Sequence, residues 1–185
     1  MLNRPGSFNA VDSELHTELS NIFADVAQDA AVDVVLLTGA GSSFCAGGDL
    51  KWFCNITSGE MNQLMREARK IILNLCELPQ PIIAAVNGPA VGLGATLALF
   101  CDMVYMAEDA KLSDPHVRVG VTAGDGGAVI WPLLTSMVRA KEYLLTGNSV
   151  SASEAERIGL VNRVVGNDML MEETMQTARY LANGS

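Results

Sequence analysis

Residues 82–94 read IIAAVNGPAVGLG, and this stretch decides the fold. Ile82–Val86 is a short, continuous apolar run, which is typical of a strand buried on both faces of a parallel sheet. The Gly92-Leu93-Gly94 turn then opens an apolar helix that continues through Leu99. A buried strand that leads through a glycine turn into a helix predicts an α/β fold with parallel strands.

The same order of elements extends along the chain in both directions. Apolar spacing predicts further strands at Val32–Thr38, Met103–Met106 and Val161–Val165, and further helices at residues 13–29, 59–78 and 169–182. Ser151 and Glu154 fit a capping box, in which the hydroxyl and the carboxylate each bond a free backbone N–H, at the start of a short helix that ends at Gly159. Because the sequence has no internal repeat, charge run or linker, residues 1–185 are predicted to form one domain.

The composition and charge exclude several classes of protein. Hydrophobic residues make up 49% of the chain and charged residues 18%, which is the composition of a globular domain. The net charge of -9 argues against a nucleic-acid surface, since phosphate binding depends on Lys and Arg. No apolar run approaches the roughly 20 residues of a membrane span, and the N-terminus lacks the apolar core of a secretory signal. We therefore expect no nucleic-acid or membrane partner, and a cytoplasmic protein or one that a peptide outside this sequence directs to an organelle.

The cysteines are scattered and show no metal-binding spacing. They lie at positions 45, 54, 76 and 101, with no CxxC pair and no histidine at ligand spacing. We expect free thiols in a reducing compartment and no bound metal.

Two glycine-rich segments interrupt the packing pattern. Residues 43–50 read SFCAGGDL, and Gly47 and Gly48 allow a ligand to approach the backbone. Residues 87–94 read NGPAVGLG and end at a helix N-terminus, where free N–H groups can bind an anion. Each segment alone is weak evidence, because glycine turns between strands and helices are common. Together they predict an oxyanion hole, in which two N–H donors converge on one oxygen.

These segments belong to a series whose order resembles the crotonase superfamily, the enoyl-CoA hydratase/isomerase group. The matching stretches are LNRP at residues 2–5 with Asn9-Ala10, SFCAGGDL at 43–50, AAVNGPAVGLG at 84–94 with Cys101-Asp102, LTG at 145–147 and AERIGLV at 155–161. The resemblance covers nearly the whole chain. It implies a crotonase (ClpP-like) spiral of ββα turns, an acyl-CoA substrate, and assembly as a homotrimer or hexamer. It implies no cofactor beyond the coenzyme A that forms part of the substrate.

The resemblance also assigns roles to particular residues. The backbone N–H groups of Gly48 and Leu93 match the oxyanion donors, which stabilise the thioester oxygen as it gains negative charge. In comparable sites one such donor contributes about 3 kcal/mol. Arg4 and Lys51 are candidates for phosphate partners, and the alternative is that both are ordinary surface charges. The residues expected to contact coenzyme A are Arg4, Ala46, Gly48, Asp49, Leu50, Lys51, Gly92 and Leu93.

The chain departs from a hydratase of this family at both catalytic glutamates. Aligned without gaps from AAVNG, the two glutamate positions fall on Thr96 and His116. A threonine hydroxyl is too weak an acid or base to act unaided, so Thr96 is expected to be a packing residue. His116, with an ordinary pKa of about 6.5, can be a general base near neutral pH, and the alternative is a core histidine. We therefore do not expect hydration by two glutamates.

Three further polar residues need an interpretation. Asp125 lies in the glycine turn AGDGG at 123–127, which borders the acyl pocket in this family. Asp125 could orient His116, act as the base itself or attack the substrate, and the alternative is a turn residue that bonds the backbone. Asp114 is expected to form an Asx turn before proline. His16, on the first helix, is expected to face solvent.

The reaction remains open at this point. Pro115-His116, Gly124-Asp125-Gly126 and Trp131-Pro132 are arranged as in 6-oxocamphor hydrolase, a superfamily member that cleaves a β-diketone with a His–Asp pair. That enzyme has a further histidine where this chain has Leu93, so a CoA thioester is expected here instead. A lyase- or hydratase-like reaction on an unusual acyl chain, Δ-isomerisation by one base, and hydrolytic C–C cleavage of a β-oxoacyl-CoA all fit. A CoA-binding or scaffold protein without catalysis is the non-enzymatic alternative.

The resemblance also implies segments beyond this sequence. Family members have strands before the LNRP segment and C-terminal helices that complete the trimer contact and cover the acyl pocket. We expect both to be absent from this chain, through truncation or omission.

Overall fold

A parallel sheet lies at the centre of the fold. The computed structural model describes residues 1–184, with strands β1 (Val35–Thr38), β2 (Ile82–Val86), β3 (Ala90–Val91), β4 (Met103–Ala107), β5 (Lys111–Ser113), β6 (Val150–Ser151) and β7 (Arg163–Val165). Its helices are α1 (Ser13–Ala27), α2 (Leu50–Phe53), α3 (Ser58–Cys76), α4 (Leu93–Leu99), α5 (Gly127–Leu134), α6 (Met137–Thr146), α7 (Ala152–Arg157) and α8 (Leu170–Ala182). Short 3₁₀ turns lie at Pro5–Ser7, His116–Val119 and Asn167–Met169.

The strands form two sheets. The larger sheet has the order β1-β2-β4-β7, and every neighbouring pair runs parallel. Each residue of β2 is buried, which agrees with its continuous apolar sequence. The smaller sheet, β3-β5-β6, contains one parallel and one antiparallel pair. The predicted α/β class with parallel strands is confirmed.

Helices cover the larger sheet and connect it to the loops that follow the strands. α8 packs on β1, β2 and β4, while α4, buried at every residue, contacts β2, β3 and β4. α1 packs against α3. The Asp102 carboxylate accepts a hydrogen bond from the Ile82 backbone N–H at 2.8 Å, which fixes the start of β2 beside β4. These contacts hold the ends of β1 and β2, and therefore both glycine-rich segments, in fixed positions.

The structure differs from the sequence predictions in several elements. β1 is shorter than the predicted Val32–Thr38, and α5, α6 and the short strands of the smaller sheet had no predicted counterpart. Ser151 does accept a hydrogen bond from the Glu154 N–H at 3.3 Å. The Glu154 carboxylate pairs with Arg157 instead of returning to Ser151, so the reciprocal half of the predicted capping box is wrong.

His16 is buried, which contradicts the expectation that it faces solvent. It is 3% exposed, and its Nδ1 lies 2.8 Å from the Glu67 Oε2 on α3. The apolar pattern of α1 identifies one buried face, but it does not show that α3 and Trp52 cover the neighbouring side as well.

The four cysteines are free thiols, as expected, with Cys45 and Cys101 buried and Cys54 and Cys76 exposed. Among residues 1–184, no helix combines the length and the apolarity that crossing a bilayer requires.

Candidate active site

Two amide side chains hold the first glycine-rich segment in place. Asn9 is fully buried, and its side-chain N–H donates to the Ser43 carbonyl at 2.8 Å and to the Ala40 carbonyl at 2.9 Å. Asn87 donates to the Gly41 carbonyl at 2.9 Å from the end of β2. Cys45 forms an isolated parallel bridge with Ala90. The backbone around residues 43–48 is therefore tied both to the N-terminal segment and to the second glycine-rich segment.

The two glycine-rich segments meet at their backbones. Gly47 has a φ of +83°, and a β-carbon added there would lie 2.7 Å from the Val91 carbonyl oxygen and 3.8 Å from the Gly92 Cα. Gly92 has a φ of +52°, which favours glycine, and its N–H donates to the Ser113 carbonyl at 2.9 Å. A side chain at Gly47 would separate the segments that the predicted oxyanion hole needs to bring together.

The predicted oxyanion donors, Gly48 and Leu93, each come one residue after the glycines just described, Gly47 and Gly92. Leu93 is the first residue of α4, where a backbone N–H has no acceptor within the helix. Neither N–H donates to another backbone group in the part of the chain that the structure describes. Gly48 is half-buried and Leu93 is buried, so neither residue is fully exposed to solvent. The structure places them on adjoining segments, and their role as oxyanion donors stays a prediction.

His116 lies beside the second segment and is held by a carboxylate. A β-carbon on Gly92 would be 3.4 Å from the His116 Cε1, so the imidazole is next to the turn that carries Leu93. The His116 Nδ1 lies 2.5 Å from the Asp114 Oδ1, and the Asp114 side chain is 1% exposed. Nδ1 therefore donates to Asp114, which leaves Nε2 as the atom that can take up or release a proton.

Asp125 approaches the other side of the imidazole. Its Oδ2 lies 3.6 Å from the His116 Nε2, while its Oδ1 accepts hydrogen bonds from the Thr96 hydroxyl at 3.2 Å and the Gly127 N–H at 3.3 Å. The Asp125 Oδ2 is buried and has no hydrogen-bond donor among residues 1–184. Asp114, and not Asp125, thus lies within hydrogen-bonding distance of the His116 Nδ1, and Asp125 faces Nε2.

Burial and charge shift the pKa values of both groups upward. The hydrogen bond from His116 to Asp114 raises the pKa of the imidazole above 6.5, and the charge of Asp125 adds to this, although partial burial opposes it. Burial raises the pKa of Asp125, and the nearby charge of Asp114 contributes in the same direction, although attraction to His116 offsets part of the shift. The pair is therefore able to hold a proton near neutral pH, which is what acid–base catalysis requires.

The same side chains also offer ligand atoms for a cation. One nitrogen or oxygen each from Asp114, His116 and Asp125 lies within 4.8 Å of the others. The Asp114 contact already occupies the His116 Nδ1, so a cation would have Nε2 and the Asp125 Oδ2 as its nearest free ligands.

The residues expected to contact coenzyme A remain predictions, and the structure shows their surroundings. Arg4 pairs with Asp12 at 2.7 Å and also bonds the Ala10 carbonyl, so its guanidinium is partly engaged. The Asp49 carboxylate accepts from the Lys51 N–H at 2.9 Å and begins α2. Leu50 and Lys51 are exposed, while Ala46 is half-buried beside Gly47.

Two features of the site were missed by reasoning from the sequence. The first is the contact between Asp114 and His116, and its signal is the spacing Asp-Pro-His, which lets a 3₁₀ turn bring the carboxylate back to the imidazole. The second is Phe53: a β-carbon on Gly48 would overlap its ring. No sequence signal marks this contact, because it depends on how α2 folds over the segment.

Comparison with known proteins agrees with this geometry. Residues 1–185 match the family model described as enoyl-CoA hydratase/isomerase. The chain is 37% identical over 185 residues to crotonyl-CoA hydratase of Syntrophomonas wolfei subsp. wolfei, across 99% of this chain and 71% of that protein. It is 36% identical over 185 residues to 1,2-epoxyphenylacetyl-CoA isomerase of Escherichia coli K12, across 98% of this chain and 71% of that protein.

A solved structure shows the same fold. The crystal structure of an enoyl-CoA hydratase/isomerase from Mycobacterium paratuberculosis superposes with a TM-score of 0.94 at 40% identity, across 98% of this chain and 73% of that chain. The hydratase and the isomerase match this chain at nearly equal sequence identity. Sequence identity therefore shows the family and does not distinguish between the two reactions. With this fold and a match along its whole length, the chain belongs to the enoyl-CoA hydratase/isomerase family of acyl-CoA enzymes.

Proposed function

We propose that the protein catalyses a lyase- or hydratase-like reaction on an acyl-CoA, with His116 and Asp125 as its acid–base pair. One observation carries the proposal: the Asp125 carboxylate lies between the Thr96 hydroxyl, at 3.2 Å, and the His116 imidazole, at 3.6 Å. The resemblance places the two hydratase glutamates at the positions of Thr96 and His116. Asp125 therefore supplies, from a different loop, the carboxylate that Thr96 cannot provide.

The oxyanion hole would stabilise the intermediate of this reaction. The thioester oxygen accepts hydrogen bonds from the Gly48 and Leu93 N–H groups and gains negative charge as the α-carbon loses a proton. Donors that are fixed before the reaction stabilise this charge without reorganising, because the hydrogen-bonded backbone of residues 43–48 and α4 holds them in place.

The proton transfers divide between the two side chains. In the elimination direction, the neutral His116 Nε2 takes the α-proton while its Nδ1–H remains bonded to Asp114. Burial raises the pKa of Asp125, which makes its protonated carboxyl easier to form than that of a free aspartate, and this carboxyl gives its proton to the leaving hydroxyl, so that water departs. In the hydration direction each step reverses, and Asp125 takes a proton from the attacking water.

Two other reactions fit parts of the same site. Hydrolytic C–C cleavage of a β-oxoacyl-CoA, as suggested by the similarity to 6-oxocamphor hydrolase, also needs water activated by the pair. Δ-Isomerisation needs only one base, which moves a proton from one carbon of the acyl chain to another. The distance of 3.6 Å between the His116 Nε2 and the Asp125 Oδ2 favours this reaction, because both groups can reach the same proton. A CoA-binding protein without catalysis is the remaining alternative.

Proton exchange tests the proposal directly. We expect the protein to exchange α-protons of a panel of acyl-CoAs in D₂O, observed by mass spectrometry, and to place oxygen from H₂¹⁸O in the product of an enoyl-CoA. His116→Ala should abolish exchange, while Asp125→Asn should keep exchange and lose oxygen incorporation. The two variants should differ because His116 takes the α-proton, whereas Asp125 exchanges a proton with the water or the leaving hydroxyl.

Each alternative has its own outcome in this experiment. Exchange without ¹⁸O incorporation on any ester would favour the isomerase, and ¹⁸O in a shortened carboxylic acid would favour C–C cleavage. Binding of acyl-CoA without exchange would favour the non-catalytic protein. Exchange that survives in His116→Ala would remove His116 from the mechanism.

We also infer that the active protein is an assembly of identical chains, a homotrimer or hexamer, that contains no metal ion. Support for assembly is the number of exposed apolar side chains between residues 117 and 145, including Leu133 and Val138 at 73% and 76% exposed. A metal-free site is supported by the bond from Asp114 to Nδ1, which already prepares His116 to act as a base.

A further inference from the structure

α2 lies directly over one of the predicted oxyanion donors. This helix begins after Asp49, and its last residue, Phe53, has its ring where a side chain on Gly48 would project. Phe53 is 42% exposed, so one part of the ring lies on Gly48 and another part faces the surroundings. The ring therefore lies against the Gly48 backbone, on the side where a Gly48 side chain would project.

A contact between Trp52 and His16 on α1, which Glu67 on α3 supports, holds the Phe53 ring in position. The Trp52 ring lies 5.3 Å from the Phe53 ring and 5.6 Å from the His16 ring, measured between centroids. His16 is in turn fixed by Glu67 at 2.8 Å. A buried, hydrogen-bonded imidazole is a rigid support, because moving it would break its hydrogen bond to Glu67. Phe53 thus lies at one end of a row of ring contacts, and His16, between α1 and α3, lies at the other end.

We propose that Phe53 is a specificity-determining residue, which limits the bulk of an acyl group next to its thioester carbonyl. The inference rests on the proposed function, in which that carbonyl oxygen binds the Gly48 N–H. A carbonyl held by this N–H lies close to the Phe53 ring, so a branch on the α-carbon competes with the ring for the same space. Straight-chain acyl groups avoid this competition.

The test compares two esters that differ by one methyl group. For the wild type we expect faster α-proton exchange in D₂O with butyryl-CoA than with 2-methylbutyryl-CoA. Phe53→Ala should raise the kcat/KM ratio of the branched to the straight ester by about tenfold, which is typical of one methyl group in an apolar pocket. An unchanged ratio in Phe53→Ala would overturn the proposal.

A matched control and a binding measurement keep the result unambiguous. Leu73 on α3 is 43% exposed, nearly the same as Phe53, and Leu73→Ala should leave the ratio unchanged. Calorimetry should show the same change in the ratio of Kd values for the two esters in Phe53→Ala. If the wild type exchanges neither ester, the proposed function fails, and the Kd ratio alone then decides the role of Phe53.

Discussion

Asp114 determines which nitrogen of His116 can act on a substrate. A carboxylate 2.5 Å from Nδ1, with its side chain 1% exposed, keeps the proton on that nitrogen and directs Nε2 toward Asp125. A neutral imidazole without such a partner would exchange between two tautomers, and only one of them presents a basic Nε2. Asp114 is therefore a positioning residue, which acts through His116.

The pH dependence of exchange should reveal this role. The hydrogen bond to Asp114 is the main reason that the pKa of His116 lies above its ordinary value. Asp114→Asn removes the negative charge that favours the imidazolium, so the pKa of His116 falls and the acidic limb of the pH profile of kcat/KM, where the neutral base forms, should move to lower pH. We also expect a loss of roughly tenfold to a hundredfold in rate, as for other hydrogen bonds to charged groups.

Glu18→Gln, an exposed change on α1, is the control and should leave the profile unchanged. A lower rate in Asp114→Asn with an unmoved profile would indicate a structural role only.

Reasoning from the sequence named His116 and Asp125 as candidates and gave orientation of His116 as one possible role of Asp125, whereas the contact with Nδ1 is made by Asp114. The position of His116 on the catalytic alignment was a strong signal. Asp114 was expected to form an Asx turn, and the His116 N–H does lie 3.4 Å from the Asp114 Oδ1. The same oxygen also reaches the imidazole, and this second contact depends on the 3₁₀ turn and on a side-chain rotamer. Neither can be obtained from spacing alone.

At the scale of elements, a polar contact joins α1 to α3 beneath α2. Burial alone would raise the pKa of Glu67, but hydrogen bonds from Gln63, His16 and Thr17 hold it below its ordinary value. The ionised carboxylate is thus the form that the folded protein prefers. The buried His16 ring also supports Trp52 on α2.

Glu67→Gln should destabilise this junction. We expect a decrease of about 1 kcal/mol in the free energy of unfolding near neutral pH, measured by urea denaturation. Because the folded-state pKa of Glu67 is lowered, its contribution is present above the unfolded-state pKa and is lost as the pH falls through the folded-state value. The difference between variant and wild type should therefore shrink in acid. A difference that is constant with pH would show that the charge of Glu67 has no part in it.

The elements that could be predicted are those whose pattern of apolar residues alone distinguishes a strand from a helix. Ile82–Val86 is apolar throughout and lies between other strands, and its observed limits equal the predicted ones. α5 was not predicted, because its sequence is apolar on all sides and contains Pro132, so it has no helical period. Strands of two or three residues, such as Ala90–Val91, are too short to show any period. Their pairing comes from the contacts between loops that the larger sheet positions.

At the scale of the whole molecule, the exposed apolar side chains predict self-association. We expect sedimentation equilibrium to give a mass that is a multiple of 19.6 kDa, in agreement with the proposed trimer or hexamer. Changing both Leu133 and Val138 to Glu should shift the protein toward the monomer, because charges would then lie on the contact surface. Ile22→Glu, at a residue 46% exposed on α1, should not change the mass. A wild-type mass of one chain would contradict the assembly.

The distribution of thiols has a practical consequence for observing α2. Burial raises the pKa of Cys45 to about 11 and that of Cys101 still further, so neither forms a reactive thiolate at neutral pH. Cys54 is exposed and caps α2 immediately after Phe53. With Cys76 replaced by serine, a maleimide dye would attach at Cys54 without any cysteine being introduced. The Cys76→Ser variant thus offers a single attachment point for a fluorophore that reports, in real time, whether α2 moves when an acyl-CoA arrives.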